Sequence, residues 1–330
     1  MTVLVTGASG FAGSHLVDYL LAAGYSVTAM ISPSASPGLL TDSDRLTIKR
    51  ADIRDGEAVL NAIADCRPER IYHLASISTK VGFGDQPRLF HDVIFNGTLN
   101  ILYAMRELAL ESRLLYVSSA EVYGAERGDA MPLLETCPYR PNTPYATHKA
   151  AAELACYQFF RTYGLHIVRV RPFPHMGPRQ APTFVCSSLA KQIAAIQLGL
   201  LPAEIVVGNT SSKRDFTDVR DIVRGYHALL EVGQPGDVYQ LCSGKPVSIA
   251  SILEYLIAQS RLAITVTVDP ARVRPNEIES CWGDASKANA VSAWAPDIAL
   301  ETSLGELMRH WTSLLAHHDD KNLSLTKKLQ

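Results

Sequence analysis

Tyr145 and Lys149 stand four residues apart, a short stretch beyond Val117-Ser118-Ser119. On a helix, positions four apart share one face. The spacing therefore sets an ammonium beneath a phenol ring and is expected to lower a phenol pKa that is ordinarily about 10. A phenol tuned in this way trades a proton with an alcohol or sugar oxygen near neutral pH. Taken alone, the pair is equally a buried tyrosine and a solvated lysine on an ordinary amphipathic helix.

A second group of residues gives the pair a context. The chain opens with Gly7, Gly10 and Gly13 directly after an apolar strand-like run and at the start of a helix-like one. Glycines so placed supply a tight turn, let the backbone approach a pyrophosphate and allow close strand-helix packing. The first amides of the helix, at Phe11 and Ala12, favour the anion. Asp52, after the third strand, can accept from an adenine amino group or cap the helix near Asp55. The second strand ends at Ile31-Ser32-Pro33, where an acid would take the ribose hydroxyls of NAD and an arginine would favour NADP. Neither is present. Ser32 can donate to a 2′-phosphate and no carboxylate repels it, so NADP(H) is favoured by a small margin over NAD(H).

The elements that must position these residues alternate. Strands are expected at 2–6, 26–31, 46–51, 70–74, 113–118 and 166–171, with helices at 11–21, 55–64, 88–108 and 145–163. This is the pattern of an α/β fold, a Rossmann doubly wound parallel sheet. From Pro172 the texture changes to proline-rich turns, a helix at 183–198 and short strands at 204–207, 238–241 and 264–268. We expect a dinucleotide-binding domain over 1–171 with a return near 213–243. A smaller α+β substrate domain is expected over 172–212 and 244–311, followed by a polar tail over 312–330.

Composition narrows the partners. Thirty-one basic and thirty-three acidic residues among 330 give a formal net charge of −2, so no global field draws nucleic acid or an anionic membrane surface. An anionic small molecule must be met by a local cluster. The six cysteines show no C-x-x-C pair or metal-ligand spacing and read as small buried hydrophobes of a reducing, cytoplasmic protein; no metal site is expected. No run approaches the roughly 18 apolar residues of a membrane span.

The motifs together resemble a family. Thr6-Gly7-x-x-Gly10-x-x-Gly13, Asp52-Ile53, His73-Leu74-Ala75-Ser76, Asn96-Gly97-Thr98, Ser118 to Gly124, Tyr145-x-x-x-Lys149 and Arg171-Pro172 are similar to the extended short-chain dehydrogenases/reductases acting on nucleotide sugars, over residues 1 to about 311. The second half is most similar to the branch reducing GDP-4-keto-6-deoxymannose, close to the GDP-mannose 4,6-dehydratases. Segments 184–193, 207–221, 238–244 and 269–277 carry that narrower match. The resemblance implies a cofactor site of Gly7, Gly10, Phe11, Ala12, Gly13, Ser32, Asp52, Ile53, Leu74, Ala75, Ser76, Asn96, Val117, Tyr145, Lys149 and Pro172. It implies that Tyr145 gives a proton to the C4 oxygen, that Ser119 hydrogen-bonds it, and that Lys149 binds the nicotinamide ribose. Ser119, Glu121, Lys191, Arg214, Arg274 and Glu277 would face a GDP-sugar, and the helices at 88–108 and 145–163 would form a homodimer. On the bland reading, Arg214, Arg220 and Arg224 pair with Asp215, Asp218 and Asp221 around a helix capped by Asp218, and Lys191 is simply exposed.

Three positions depart from the family pattern. Pro174 stands where an asparagine is usual, Arg179 replaces a reductase glycine and matches the dehydratases, and Thr147-His148 precedes Lys149. Helical geometry turns His148 away from Tyr145. A GDP-mannose 4,6-dehydratase and an NAD-dependent 4-epimerase share such a site. A catalytically silent dinucleotide sensor would be marked by loss of Tyr145 or Lys149, and both are present.

Overall fold

The computed structural model describes residues 1–78, 86–124, 131–272 and 279–326, and their side chains except those of 272 and 318–326. Val3, Leu4 and Val5 are all fully buried, which a strand achieves only when both faces of its sheet are covered. That strand is β1 (Thr2–Thr6). It is followed by α1 (Phe11–Ala22), β2 (Ser26–Ile31), β3 (Leu46–Arg50), α2 (Gly56–Cys66) and β4 (Arg70–His73). Next come α3 (Pro87–Phe90), α4 (Gly97–Glu107), β5 (Arg113–Val117), α5 (Pro144–Tyr163) and β6 (Ile167–Pro172). The remainder comprises β7 (His175–Met176), α6 (Val185–Gln197), β8 (Glu204–Val207), β9 (Lys213–Asp215), β10 (Thr217–Asp218) and α7 (Val219–Val232). It closes with β11 (Val238–Leu241), β12 (Pro246–Ser248), α8 (Ile249–Ser260), β13 (Thr265–Val268), β14 (Ser280–Cys281), α9 (Ser286–Ser292) and α10 (Leu300–Thr326).

Seven parallel strands form the main sheet in the order β11-β6-β5-β4-β1-β2-β3, the doubly wound arrangement that the alternation predicts. Val3 and Val5 meet Leu16 and Leu20 of α1 and Ile222 and Tyr226 of α7. Leu4 points the other way, into a layer with Ile101 and Met105 of α4 and Cys156 and Phe159 of α5. The winding reverses between β1 and β4, and at such a switch point a crevice opens beyond the carboxyl ends of the strands.

In the second half, α7 and β11 rejoin this sheet, while α6, α8 and α10 build a core of their own from Leu189, Ile193, Ile252, Leu256, Leu304 and Leu307. Small sheets β12-β9-β14 and β13-β8 flank it. Two elements differ from expectation. The helix read as continuous over 88–108 is interrupted by a π-turn, His91–Asn96, where Thr98 turns its hydroxyl back to the Ile94 carbonyl (2.6 Å) and so competes with the regular pattern. The polar tail read from 312 is instead the continuation of α10 to Thr326, since no glycine or proline follows Gly305 to stop the helix.

Helix α5 is fastened to the sheet by charge. Glu153, fully buried, accepts from Arg171 of β6 through Nε (3.1 Å) and NH2 (2.9 Å) and from the Tyr139 hydroxyl (2.9 Å). Replacing Glu153 with Ala leaves the buried guanidinium uncompensated and is expected to cost about 3–5 kcal/mol of stability. The shift of the urea unfolding midpoint measures it.

Candidate active site

Gly7, at φ +67°, turns the chain out of β1 with its N–H on the Met30 carbonyl (3.1 Å). A Cβ there would lie 2.8 Å from the Ala75 nitrogen, and one at Gly13 only 2.2 Å from the Gly7 carbonyl. The loop is packed backbone against backbone, so glycine is required. Beneath it runs a chain of buried hydrogen bonds. Thr6 Oγ1 accepts from the Ala75 N–H (3.1 Å) and donates to His73 Nδ1 (2.7 Å). That leaves the His73 Nε2–H to donate to Thr98 Oγ1 (3.1 Å), whose hydroxyl proton goes to Ile94. The ring is thereby satisfied as the neutral form, and burial pushes its pKa down to about 3.

No side chain caps α1 at Gly10, so the amides of its first turn are left to an anion. With the glycine cradle, this fits a dinucleotide pyrophosphate. Leu74, Ala75 and Ser76 extend β4 along the same crevice, Val117 ends β5 and Pro172 ends β6. His175 stacks on Phe11 beside the loop, with ring centres 5.8 Å apart. Asn96 closes the π-turn and donates to Asp92 (3.2 Å), and the Ile53 carbonyl accepts from Asn100 (2.8 Å). The cap of α2 is Asp55, accepting from the Ala58 N–H (3.1 Å). Asp52 instead grips Arg54 with both oxygens, at 3.0 and 2.6 Å. Ser32 is exposed beyond β2, where Arg50 reaches over from β3 to the Pro33 carbonyl (2.8 Å). Strand register brings Arg50 there, and sequence spacing does not signal it.

Tyr145 occupies the first turn of α5, set by Thr143 accepting from the Ala146 N–H (3.1 Å) and by Pro144 at the start. One turn on, Lys149 is 3% exposed and donates to the Val117 carbonyl (2.7 Å), 6.0 Å from the Tyr145 ring centre and 5.4 Å from that of Tyr116. The placement matches the spacing, but the electrostatic outcome is the reverse of expectation. Burial pushes the Tyr145 phenol well up, the Glu121 charge adds to that, and a hydrogen bond with Ser119 opposes it. Burial also lowers Lys149 to about 7, against the pull of Cys156 and Glu153. At Tyr145, loss of solvation outweighs the hydrogen bond with Ser119. The Ser119 oxygen accepts the Glu121 N–H (3.1 Å), which leaves its own proton available to donate.

Glu121 is exposed, and its charge acts on both Tyr145 and Cys281, while Arg214 of β9 acts on Cys281 as well. Ser119 and Tyr145 are joined by a hydrogen bond, and the Glu121 charge is felt at Tyr145. Arg214 also donates to the Lys213 carbonyl (2.7 Å). The pairing read for Asp215 is not found: that carboxylate accepts from the Ser243 (2.7 Å) and Gly244 (2.9 Å) amides. Arg220 and Arg224 do pair with Asp218 (2.8 Å) and Asp221 (2.7 Å), and Asp218 caps α7. Lys191 lies over Trp311 of α10, 5.1 Å from its ring centre. Arg179 joins Asp18 of α1 (2.7 Å) to His310 of α10 (3.2 Å). His148 donates to the Pro144 carbonyl of its own helix (2.7 Å) and packs edge-on against the ring of His91, 5.4 Å away, rather than facing Tyr145. Arg274 and Glu277 lie outside the described residues. Glu153 went unnoticed in the sequence, although it stands one further turn beyond Lys149 on the same face.

Residues 4–307 match the family model described as GDP-mannose 4,6 dehydratase. The chain belongs to the GDP-mannose 4,6-dehydratase family. It is 33% identical to the GDP-6-deoxy-D-mannose reductase of Pseudomonas aeruginosa, over 94% of this chain and 97% of that protein. With the GDP-mannose 4,6-dehydratase of Yersinia enterocolitica it shares 28% identity over 92% of each. The solved structure of RMD from Pseudomonas aeruginosa complexed with NADPH superposes with a TM-score of 0.83 at 31% identity, covering 94% of this chain and 99% of that one. The fold is that of the extended short-chain dehydrogenases/reductases, as the motifs imply.

The buried His73 makes the cradle of this family member pH-sensitive in a defined direction. Its folded pKa, about 3, lies below the ordinary 6.5, so between these values the unfolded chain binds a proton that the folded one does not. The contribution is fully present above pH 6.5 and is lost as pH falls toward 3. It should amount to about 1 kcal/mol between pH 6.5 and about 5.5. Urea titrations across that range should show a slope that is shallower by this amount in His73→Asn than in the wild type, because His15, His175 and His227, also lowered by burial, contribute in the same direction in both.

Proposed function

We propose that this protein reduces the C4 keto group of a GDP-4-keto-6-deoxy sugar, GDP-4-keto-6-deoxymannose in the first instance, with NADPH as the favoured reductant. The product is GDP-D-rhamnose or its C4 epimer, a precursor for polysaccharide. The observation that carries the reading is Tyr145 in the first turn of α5, hydrogen-bonded to Ser119 and one turn from the buried Lys149, beside a glycine cradle for a dinucleotide. The GDP-6-deoxy-D-mannose reductase relative and the NADPH-bound RMD neighbour support it.

When bound, the dihydronicotinamide supplies hydride to the C4 carbon. Tyr145 meets the negative charge that grows on the C4 oxygen by giving up its proton, and Ser119 donates a hydrogen bond to the same atom. A phenol kept protonated suits this direction, because a developing alkoxide is a strong base. Lys149 lines the crevice floor and holds the nicotinamide ribose. Arg214 takes the substrate diphosphate, a task that a chain of net charge −2 must give to particular side chains. Glu121 hydrogen-bonds the sugar, and Lys191, Arg274 and Glu277 complete the nucleotide side. The dinucleotide occupies residues 1–171 with the return through α7 and β11, and the sugar nucleotide lies against the layer of α6, α8 and α10.

A dehydratase is the second reading, favoured by the family model and the Yersinia relative. It begins by oxidising C4, which asks Tyr145 to be a base. We also propose a cytoplasmic homodimer. All six cysteines are free, and among the described residues no helix is long and apolar enough to cross a membrane. Tyr103 of α4 and Leu154, Tyr157 and Tyr163 of α5 expose between 41% and 52% of their surface on adjoining helices, an apolar face that a second copy would cover.

With GDP-4-keto-6-deoxymannose, stoichiometric NADPH oxidation is expected, and NMR of the product assigns C4. Conversion of GDP-mannose without net cofactor consumption would instead establish the dehydratase. Tyr145→Phe is expected to lower kcat by about 10²–10⁴, with NADPH affinity unchanged by calorimetry. Leu154→Arg should halve the mass measured by light scattering; an unchanged dimer would remove this face from the interface.

A further inference from the structure

We infer that Arg50, together with Ser32 and Ser34, forms the subsite for the 2′-phosphate of the dinucleotide and gives this protein its preference for NADPH over NADH. The inference rests on the NADPH reading above and names the side chains responsible. In a doubly wound sheet the adenosine ribose lies at the carboxyl end of β2. From Ile31 to Leu40 the chain offers no Asp or Glu to accept from a ribose diol and no Lys or Arg to meet a phosphate. The cation comes from the neighbouring strand. β2 and β3 run in parallel with Ile31 opposite Arg50, so the guanidinium is delivered to the turn that follows β2. Its NH1 group donates to the carbonyls of Pro33 (2.8 Å) and Ala35 (3.0 Å) and lies 3.5 Å from that of Ser32.

The surroundings suit a phosphate. Ser32 and Ser34 bring hydroxyls 3.4 Å apart on the same turn, and both residues are exposed. Among the described residues no carboxylate forms an ion pair with Arg50. Asp52, the acid nearest in sequence, is occupied at both oxygens by Arg54. A guanidinium has five N–H donors. Those on NH1 brace the turn, and the Nε and NH2 donors keep the planar fork that pairs with phosphate oxygens. The carbonyl contacts fix that fork before a ligand arrives, which lowers the cost of ordering it.

The test measures binding of NADPH and of NADH to the full-length protein by calorimetry, in the wild type, Arg50→Gln and Arg50→Lys. Glutamine keeps an N–H for the carbonyls and removes the charge; lysine keeps the charge and loses the fork. Thermal unfolding of each variant checks that it is folded. The wild type is expected to bind NADPH at least about 10-fold more tightly than NADH. Arg50→Gln is expected to weaken NADPH on the order of 10- to 100-fold, the range for charge-assisted hydrogen bonds, with NADH unchanged; Arg50→Lys should fall between. A wild type that binds both equally, or neither, overturns the NADPH reading and the inference with it. A preference that survives in Arg50→Gln leaves the NADPH reading standing and overturns the assignment of Arg50. Equal weakening of both ligands also overturns it, since Arg50 would then only brace the turn.

Discussion

The ion pair between Glu153 and Arg171 is the constraint on which the active site depends. Tyr145, Lys149 and Glu153 follow one another at four-residue steps along α5, so whatever fixes Glu153 fixes the direction in which the other two point. Arg171 also donates to the Tyr123 hydroxyl (2.8 Å) and to the Glu135 carbonyl (3.1 Å), and Tyr123 in turn accepts from Gln240 of β11 (2.7 Å). A single guanidinium thus registers α5, β6, β11 and the loop before α5 against one another. A buried pair of this kind adds little net stability over an apolar replacement, because desolvation offsets most of the attraction. What it contributes here is placement, since an apolar contact would tolerate a slip of the helix that the hydrogen bonds do not.

The same burial that secures α5 decides how its side chains titrate. Tyr145 and Lys149 would each be charged at a cost in this environment, and the shifts run in opposite directions, phenol up and ammonium down. Both therefore lean toward their neutral forms, with the phenol proton ready for an oxygen that becomes basic. His73 follows the same rule one layer below, neutral and satisfied by two threonine hydroxyls. Solvent is withheld from groups already placed, and the charge that is buried beside them is paired, as in Glu153 and Arg171.

Much of this was legible in the sequence, for reasons that can be named. Val3-Leu4-Val5 reads as a strand covered on both faces, and the glycines at 7, 10 and 13 after it mark a tight turn into a helix. Tyr145 and Lys149 announce their shared face by spacing alone. The features that were not legible depend on contacts distant in sequence. The π-turn at His91–Asn96 follows from a threonine that serves its own helix and the His73 ring at once. Asp52 reads as a cap for the helix near Asp55, but the helix begins at Gly56 with Asp55 as its cap, and Asp52 takes Arg54 instead. The sign of the Tyr145 shift required knowing how much solvent α5 loses, which no spacing records. The length of α10 was hidden by composition, because polar residues without a glycine or proline read as a tail yet extend a helix.

The cations show how a chain with almost no net charge handles two anionic ligands. Most arginines near the crevice already face carboxylates: Arg54 on Asp52, Arg179 on Asp18, Arg220 on Asp218 and Glu306, Arg224 on Asp221 and Asp297. Such pairs hold elements together, but their charge is neutralised locally and offers a phosphate little. An arginine seated on backbone carbonyls is a different object, since the carbonyl dipoles orient the guanidinium without cancelling its charge. Arg50 is of this second kind, and it reaches its place through the register of two parallel strands rather than through the turn it serves. A guanidinium can therefore be delivered to a turn from one strand away, and the pairing of β2 with β3 carries that information in this fold.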